Sequence, residues 1–185
     1  MHRQPILIAL ADYRSRHPEE ADVVDRFDGF VRDEPSCFDN DCWSGHVTGS
    51  SWLLDTTGNR ALLTHHKKLD KWLQLGGHSD GNPDTLAVAL REAHEESGLA
   101  VTAVDSAILD LDVHQIPARG DQPAHFHYDV RYLLQVSGTE SFAVSDESHE
   151  LAWVAPGEIE SFSREWSVLR MAQKVAARPD RNPAS

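Results

Sequence analysis

Three carboxylates recur within Arg91-Glu92-Ala93-His94-Glu95-Glu96-Ser97-Gly98-Leu99, at positions i, i+3 and i+4. On a helix that spacing places Glu92, Glu95 and Glu96 on one side, within reach of one another. Like charges so close repel, and a cluster of hard oxygen ligands suits Mg²⁺ or Mn²⁺ far better than Zn²⁺. Taken alone, such a cluster is more often a solvated acidic face. The preceding segment changes that weighing: Gly76-Gly77-His78-Ser79-Asp80-Gly81-Asn82-Pro83 is a glycine-rich loop that leads directly into the acidic helix.

The elements that position these groups follow from pattern. The acidic helix is expected over Asp84–Ser97, with Asp84 as N-cap, Gly98 ending it, and Leu86, Ala89, Leu90 and Ala93 forming a separate apolar stripe. Near-helical recurrence of Leu7, Leu10, Val23, Val24, Phe27, Phe30 and Val31 predicts two earlier helices, Ile6–Arg16 and Pro18–Arg32. From His46 the pattern turns to short β-rich runs, His46–Leu54 and Arg60–His66, joined by a turn at Asp55–Asn59 and expected as a hairpin. Further strands are expected at Val101–His114, His125–Val136 and Leu151–Val154, and a final helix over Gly157–Ala177. The order predicts an α+β or mixed three-layer fold: a helical extension over residues 1–45, a catalytic domain over 46–177 and a flexible tail over 178–185.

Composition bounds the function. The chain has 185 residues, 40% apolar and 25% charged, enough for one domain with a sizeable core. Seventeen Lys+Arg against thirty Asp+Glu give a net charge of −13, which opposes binding to a nucleic-acid duplex or an anionic membrane. The same charge repels a phosphorylated substrate, so divalent cations or a local basic patch must reverse the field at the site. Ile6–Leu10 is about half the length of a signal core, no stretch approaches the roughly 20 apolar residues of a membrane span, and the two cysteines make no disulfide framework. The cytoplasm is the expected compartment.

Gly77 to Leu99 closely resembles the Nudix box, the loop–helix signature of Nudix hydrolases, with Gly77, Arg91, Glu92, Glu95, Glu96 and Gly98 in register. The one departure is Pro83, which stands where the family usually has its first glutamate; Asp80 or Asp84 are the acids placed to substitute. The resemblance implies an α/β/α sandwich with a mixed sheet and hydrolysis of a nucleoside diphosphate linked to another moiety, ADP-ribose or a nucleotide sugar being the first substrates to consider. It implies Glu92, Glu95 and Glu96 as ligands of Mg²⁺ or Mn²⁺, the Gly77 carbonyl as a further ligand, and Arg91 as the residue that orients the carboxylates; Arg91 and Glu95 are i, i+4. A general base is still needed, and Glu95, Glu96, Glu147 and Glu150 are the candidates.

Other residues are weighed on their own. His125, His127 and Asp129 alternate along one expected strand and share a face, with His114 near the end of the preceding strand. They are candidates to line the substrate pocket; a dedicated transition-metal site built from them ranks behind. His78 inside the loop, Lys67, Lys68 and Lys71 just before it, and Arg131 more weakly, are further candidates to meet a diphosphate. Trp52, Trp72 and Trp153 are expected in the core. Cys37-x4-Cys42-x3-His46 supplies three soft ligands, but in no common zinc spacing.

Two alternatives share the fold. Prenyl diphosphate isomerases use a cysteine near the glycine loop, where neither Cys37 nor Cys42 lies; a non-catalytic nucleotide-sensing module is disfavoured by retention of all three helix acids. The extension over residues 1–45 is expected either to cover a sheet edge or to build a homodimer contact.

Overall fold

The computed structural model describes residues 2–146 and 148–178. Glu147 and the tail from residue 179 onward lie outside the described residues.

Helices α1 (Gln4–Arg16) and α2 (Ala21–Asp33) come first, separated by a 3₁₀ turn at Pro18–Glu20. Strands β1 (His46–Leu54), β2 (Ala61–His66), β3 (Lys71–Leu73) and β4 (Leu75–His78) lead to helix α3 (Thr85–Ser97). Strands β5 (Val101–Ile116), β6 (His125–Val136) and β7 (Ser148–Val154) and helices α4 (Ile159–Phe162) and α5 (Trp166–Ala176) complete the chain.

All seven strands form one mixed sheet, along whose main path β3, β2, β1, β6 and β5 are neighbours. β1 is buried along its whole length and runs parallel to β6. The expected β1–β2 hairpin is held only next to its turn, by Leu53–Leu62 and Leu54–Ala61; β2 also pairs with β7, and β1 pairs with β4 from Thr48 to Ser51. β4 escapes a sequence pattern because glycine weakens strand propensity, yet glycine is what the pairing requires. A Cβ on Gly76 would lie 2.6 Å from Ser50 Cα across the ladder.

Alternation along the strands sends apolar side chains to both faces. On one face Val47, Tyr128, Val130, Tyr132 and Leu134 meet α1, α2 and α3; on the other Trp52, Leu54, Leu63 and Leu133 meet Val168, Met171 and Val175 of α5. The extension therefore contributes Ile6, Leu10, Tyr13, Val24, Phe27 and Val31 to the main core, with Phe30 stacked on Tyr128 at 3.9 Å. α3 sits closely on β1: a Cβ on Gly49 would lie 2.8 Å from the Thr85 carbonyl oxygen.

The single final helix expected over Gly157–Ala177 is replaced by a 3₁₀ turn at Pro156–Glu158, the short α4, and α5. Ser163 leaves helical dihedrals (φ −132°, ψ 132°), which lets Phe162 pack edge-on to Trp72 while α5 buries its own stripe. Among the described residues no helix is long and apolar enough to cross a membrane.

Candidate active site

The acid helix starts and stops as its sequence dictates. Asp84 accepts a hydrogen bond from the Ala87 N–H at 3.0 Å, capping α3, and Gly98 closes it in the left-handed conformation at φ 70°. Between these ends α3 presents Glu92, Glu95 and Glu96 to a cavity of about 340 Å³ that Gly77, His78, Asp80 and Ser145 also line.

Each acid has its own surroundings. Glu96, 8% exposed, accepts from the Gly76 N–H at 2.9 Å, which joins α3 to β4. Glu92 packs so closely on β4 that a Cβ on Gly77 would lie 2.5 Å from its Oε2. Glu95 is drawn aside to Arg91 at 3.2 Å. The three acids thus line one cavity without converging on one point. That spread suits Mg²⁺, which keeps several waters and takes only one or two carboxylates directly.

Arg91 organises the rim. It donates to the His78 carbonyl at 2.7 Å and to Asp80 at 3.1 Å, and pairs with Glu92 at 2.9 Å as well as with Glu95. Of the two acids placed to replace the family's first glutamate, Asp84 is committed to the helix cap, whereas Asp80 reaches the cavity. Asp80 is held in the left-handed region (φ 51°) and accepts from Asn40 at 2.5 Å, while the Gly81 N–H donates to the Phe38 carbonyl. The segment after α2 therefore braces the loop. Neither Asn40 nor Ser145 carries a pattern that sequence reasoning could have used; long-range folding alone brings them here.

The remaining candidates are distributed differently. Lys67 donates to the Asp146 carbonyl at 2.9 Å, beside the Ser145 end of the cavity, whereas Lys68 is exposed and does not line it. Lys71 pairs with Glu165 at 2.8 Å. Glu150 is exposed on β7 opposite His65 and does not line the cavity, and Glu147 lies outside the described residues. Arg131, expected at the substrate, is 1% exposed and enclosed by Asp129 (2.7 Å), Asp110 (3.0 Å) and Asp112 (3.4 Å). This is a correction with a simple cause: Arg131 projects from the β6 face that α5 covers, and carboxylates on β5 and β6 neutralise it there. Trp52 is buried and Trp72 and Trp153 pack against the core clusters.

His114, His125 and His127 leave the cavity and gather with His46. In register across the sheet, His46 on β1 faces His127 on β6, which in turn faces His114 on β5. Burial, followed by the neighbouring histidines, pushes His46 down to about 4 and His127 down to about 2, so both rings are neutral at neutral pH. Cys37 is fully buried, which pushes its thiol up to about 12, and neither cysteine joins His46 in a three-ligand group among the described residues.

Comparison with known proteins identifies the family and the fold. The model of the NUDIX domain matches residues 46–174. Among solved structures, the chain is similar to a NUDIX-family hydrolase from Clostridium perfringens (23% identity over 71% of this chain and 96% of that one, TM-score 0.53). It is also similar to a Nudix hydrolase from M. smegmatis (18% identity, 79% and 99% covered, TM-score 0.56) and to a C. elegans Ap4A hydrolase (15%, 71% and 95%, TM-score 0.51). No curated protein matches the sequence. With the family model spanning the sheet, the loop and the acid helix, the chain belongs to the Nudix hydrolase family and is a pyrophosphohydrolase enzyme.

Proposed function

We propose that the chain hydrolyses the diphosphate linkage of a nucleoside diphosphate derivative, with ADP-ribose and nucleotide sugars as the first substrates to test, in a reaction that depends on Mg²⁺ or Mn²⁺. The observation that carries this is the side-by-side packing of Gly77 on Glu92 and of Gly76 on Glu96 at the wall of one cavity, rimmed by Arg91.

The donor set fits a hard divalent ion. Glu92, Glu95, Glu96 and the Gly77 carbonyl are the oxygen donors that would hold it, one or two carboxylates directly and the others through its waters. When bound, such ions neutralise phosphate oxygens, lower the pKa of the attacking water and stabilise the leaving phosphate. Arg91 orients Glu92 and Glu95 and fixes the loop through the His78 carbonyl, which limits the reorganisation needed when substrate enters. Glu95, 56% exposed at its side chain, and Glu96 are the cavity acids placed to take a proton from water; Glu150 would need a movement of β7 to do so. His78 in the wall and Lys67 at the rim supply donors for the diphosphate.

A panel of ADP-ribose, nucleotide sugars, dinucleoside polyphosphates, nucleoside triphosphates and a prenyl diphosphate, with Mg²⁺ or Mn²⁺ and with chelator, tests the proposal. Metal-dependent release of a nucleoside monophosphate, reduced by about 10²-fold or more in Glu96→Gln, is the expected result. Binding without turnover across the panel would favour a sensing module. Isomerisation of the prenyl diphosphate is disfavoured because neither cysteine lines the cavity.

A further inference from the structure

One side chain beyond the cavity wall, the sheet buries a second set of ligand-type groups. His46 opens β1, His127 stands opposite it on the parallel β6, and His125, two residues earlier, projects from the same face. One ring nitrogen from each of His46, His125 and His127 lies within 4.8 Å of the other two. Their ring centroids are 4.7 Å (His46–His127), 4.8 Å (His46–His125) and 5.3 Å (His125–His127) apart.

Ordinary packing does not account for this group. His46 is 2% exposed; among the described residues its ring meets the backbone of Cys42 but neither ring nitrogen makes a well-formed hydrogen bond, and Nε2 of His127 is buried and unpartnered as well. Buried polar atoms are nearly always satisfied, so the buried Nε2 of His127 beside the His46 ring, their centroids 4.7 Å apart, calls for a partner that both rings can share. Each neutral imidazole offers one lone pair, and a cation that takes one from each ring would serve as that partner. His125 is already set for this role: its Nδ1 lies 2.8 Å from the Pro123 carbonyl, which selects the tautomer that leaves Nε2 as donor of a lone pair. Asp129, a carboxylate on the same face, is engaged by Thr48, Ser50 and Arg131.

We propose that His46, His125 and His127 form a binding site for one divalent transition metal of the zinc class, distinct from the carboxylate cavity. Three imidazoles suit Zn²⁺ and its neighbours in the first transition row and do not suit Mg²⁺. A three-histidine set leaves at least one coordination position for water or a substrate oxygen. His78 is the partition between the two sites: its ring is 5.0 Å from that of His46 and 5.2 Å from that of His127, and it also lines the cavity. A metal held here would tie the start of β1 to β6 directly beneath that wall.

The test uses the full chain, stripped with chelator and titrated with Co²⁺ and then Zn²⁺ in a large excess of Mg²⁺, so that the carboxylates are already supplied. One equivalent of Co²⁺ with visible d–d bands, displaced by Zn²⁺, is expected. The bands persist in Glu92→Gln/Glu96→Gln, while affinity falls by about 100-fold or more in His125→Gln and in His127→Gln. X-ray absorption of the zinc-loaded, unsubstituted chain reads the donors directly, with no dependence on whether a variant folds: imidazole scattering supports the site. An oxygen-only shell, no retention of Zn²⁺ against Mg²⁺, or loss in the carboxylate variant alone overturns it. Hydrolysis of the substrate panel is read separately, so failure of either proposal leaves the other standing.

Discussion

The Arg91 guanidinium donates to the His78 carbonyl at 2.7 Å while its other terminal nitrogen meets Glu95 at 3.2 Å, so one side chain of α3 clasps the loop against the acid helix. The fork geometry matters more than the charge. Lysine is a point charge that cannot span the loop carbonyl and the carboxylates together. Arg91→Lys is therefore expected to lower kcat by about 10- to 100-fold with the fold intact, and Arg91→Ala by no less. Steady-state kinetics beside a thermal melt check this; a normal kcat in Arg91→Ala would show that the clasp has no catalytic consequence.

Gly77→Ala should separate metal binding from folding. The new methyl would stand 2.5 Å from Glu92 Oε2, and the carboxylate, being the end of a flexible side chain, would have to swing away. Mg²⁺ or Mn²⁺ affinity is expected to drop while the melting temperature changes little, read by the metal dependence of turnover and by calorimetry.

Arg131 serves stability, not substrate. Replacing it with Met leaves Asp110, Asp112 and Asp129 facing one another in the interior, at an expected cost of about 3–5 kcal/mol. Urea unfolding with an unchanged m-value measures it. A Km shift without loss of stability would return Arg131 to the substrate site.

The same network sets acid stability. Burial by itself would raise the Asp110 carboxyl, but hydrogen bonds from Arg170 and the charges of Arg131, Arg170 and Lys174 outweigh it and hold the group below the usual carboxylate range. A depressed folded-state pKa contributes stability that is complete above the unfolded value of about 3.9 and is lost as pH falls below it. Melting temperature is expected to decline steeply below about pH 4, and less steeply in Asp110→Asn; identical slopes would remove Asp110 from the explanation.

Removal of residues 1–44 is expected to prevent stable folding. It strips Leu10, Tyr13, Phe27 and Val31, all fully buried, from the core and leaves Tyr128 without its stacked Phe30. Circular dichroism and solubility of the shortened chain decide the point. A cooperative melt near that of the full chain would show the extension to be a separable unit.

Much of the site was legible in the sequence because its geometry is local. Spacing of i, i+3 and i+4 places the acids on one helix face whatever the helix packs against, and Asp84 and Gly98 cap α3 by rules that span a few residues. β-rich runs likewise predicted His46–Leu54 and His125–Val136 as strands with the ends they have in the structure.

What the tertiary structure decided is everything that depends on register between distant segments. Thr48 and Asp129 are 81 positions apart, and no local pattern says that β1 lies parallel to β6 with these residues side by side. That single pairing encloses Arg131 among carboxylates and sets His46 against His127. Gly76 and Gly77 read as a loop because glycine carries no strand preference; they form β4 because only a residue without a side chain fits between Ser50 and Glu92. Short-range sterics and hydrogen bonding are written residue by residue, whereas strand partners are chosen by the burial of the whole chain.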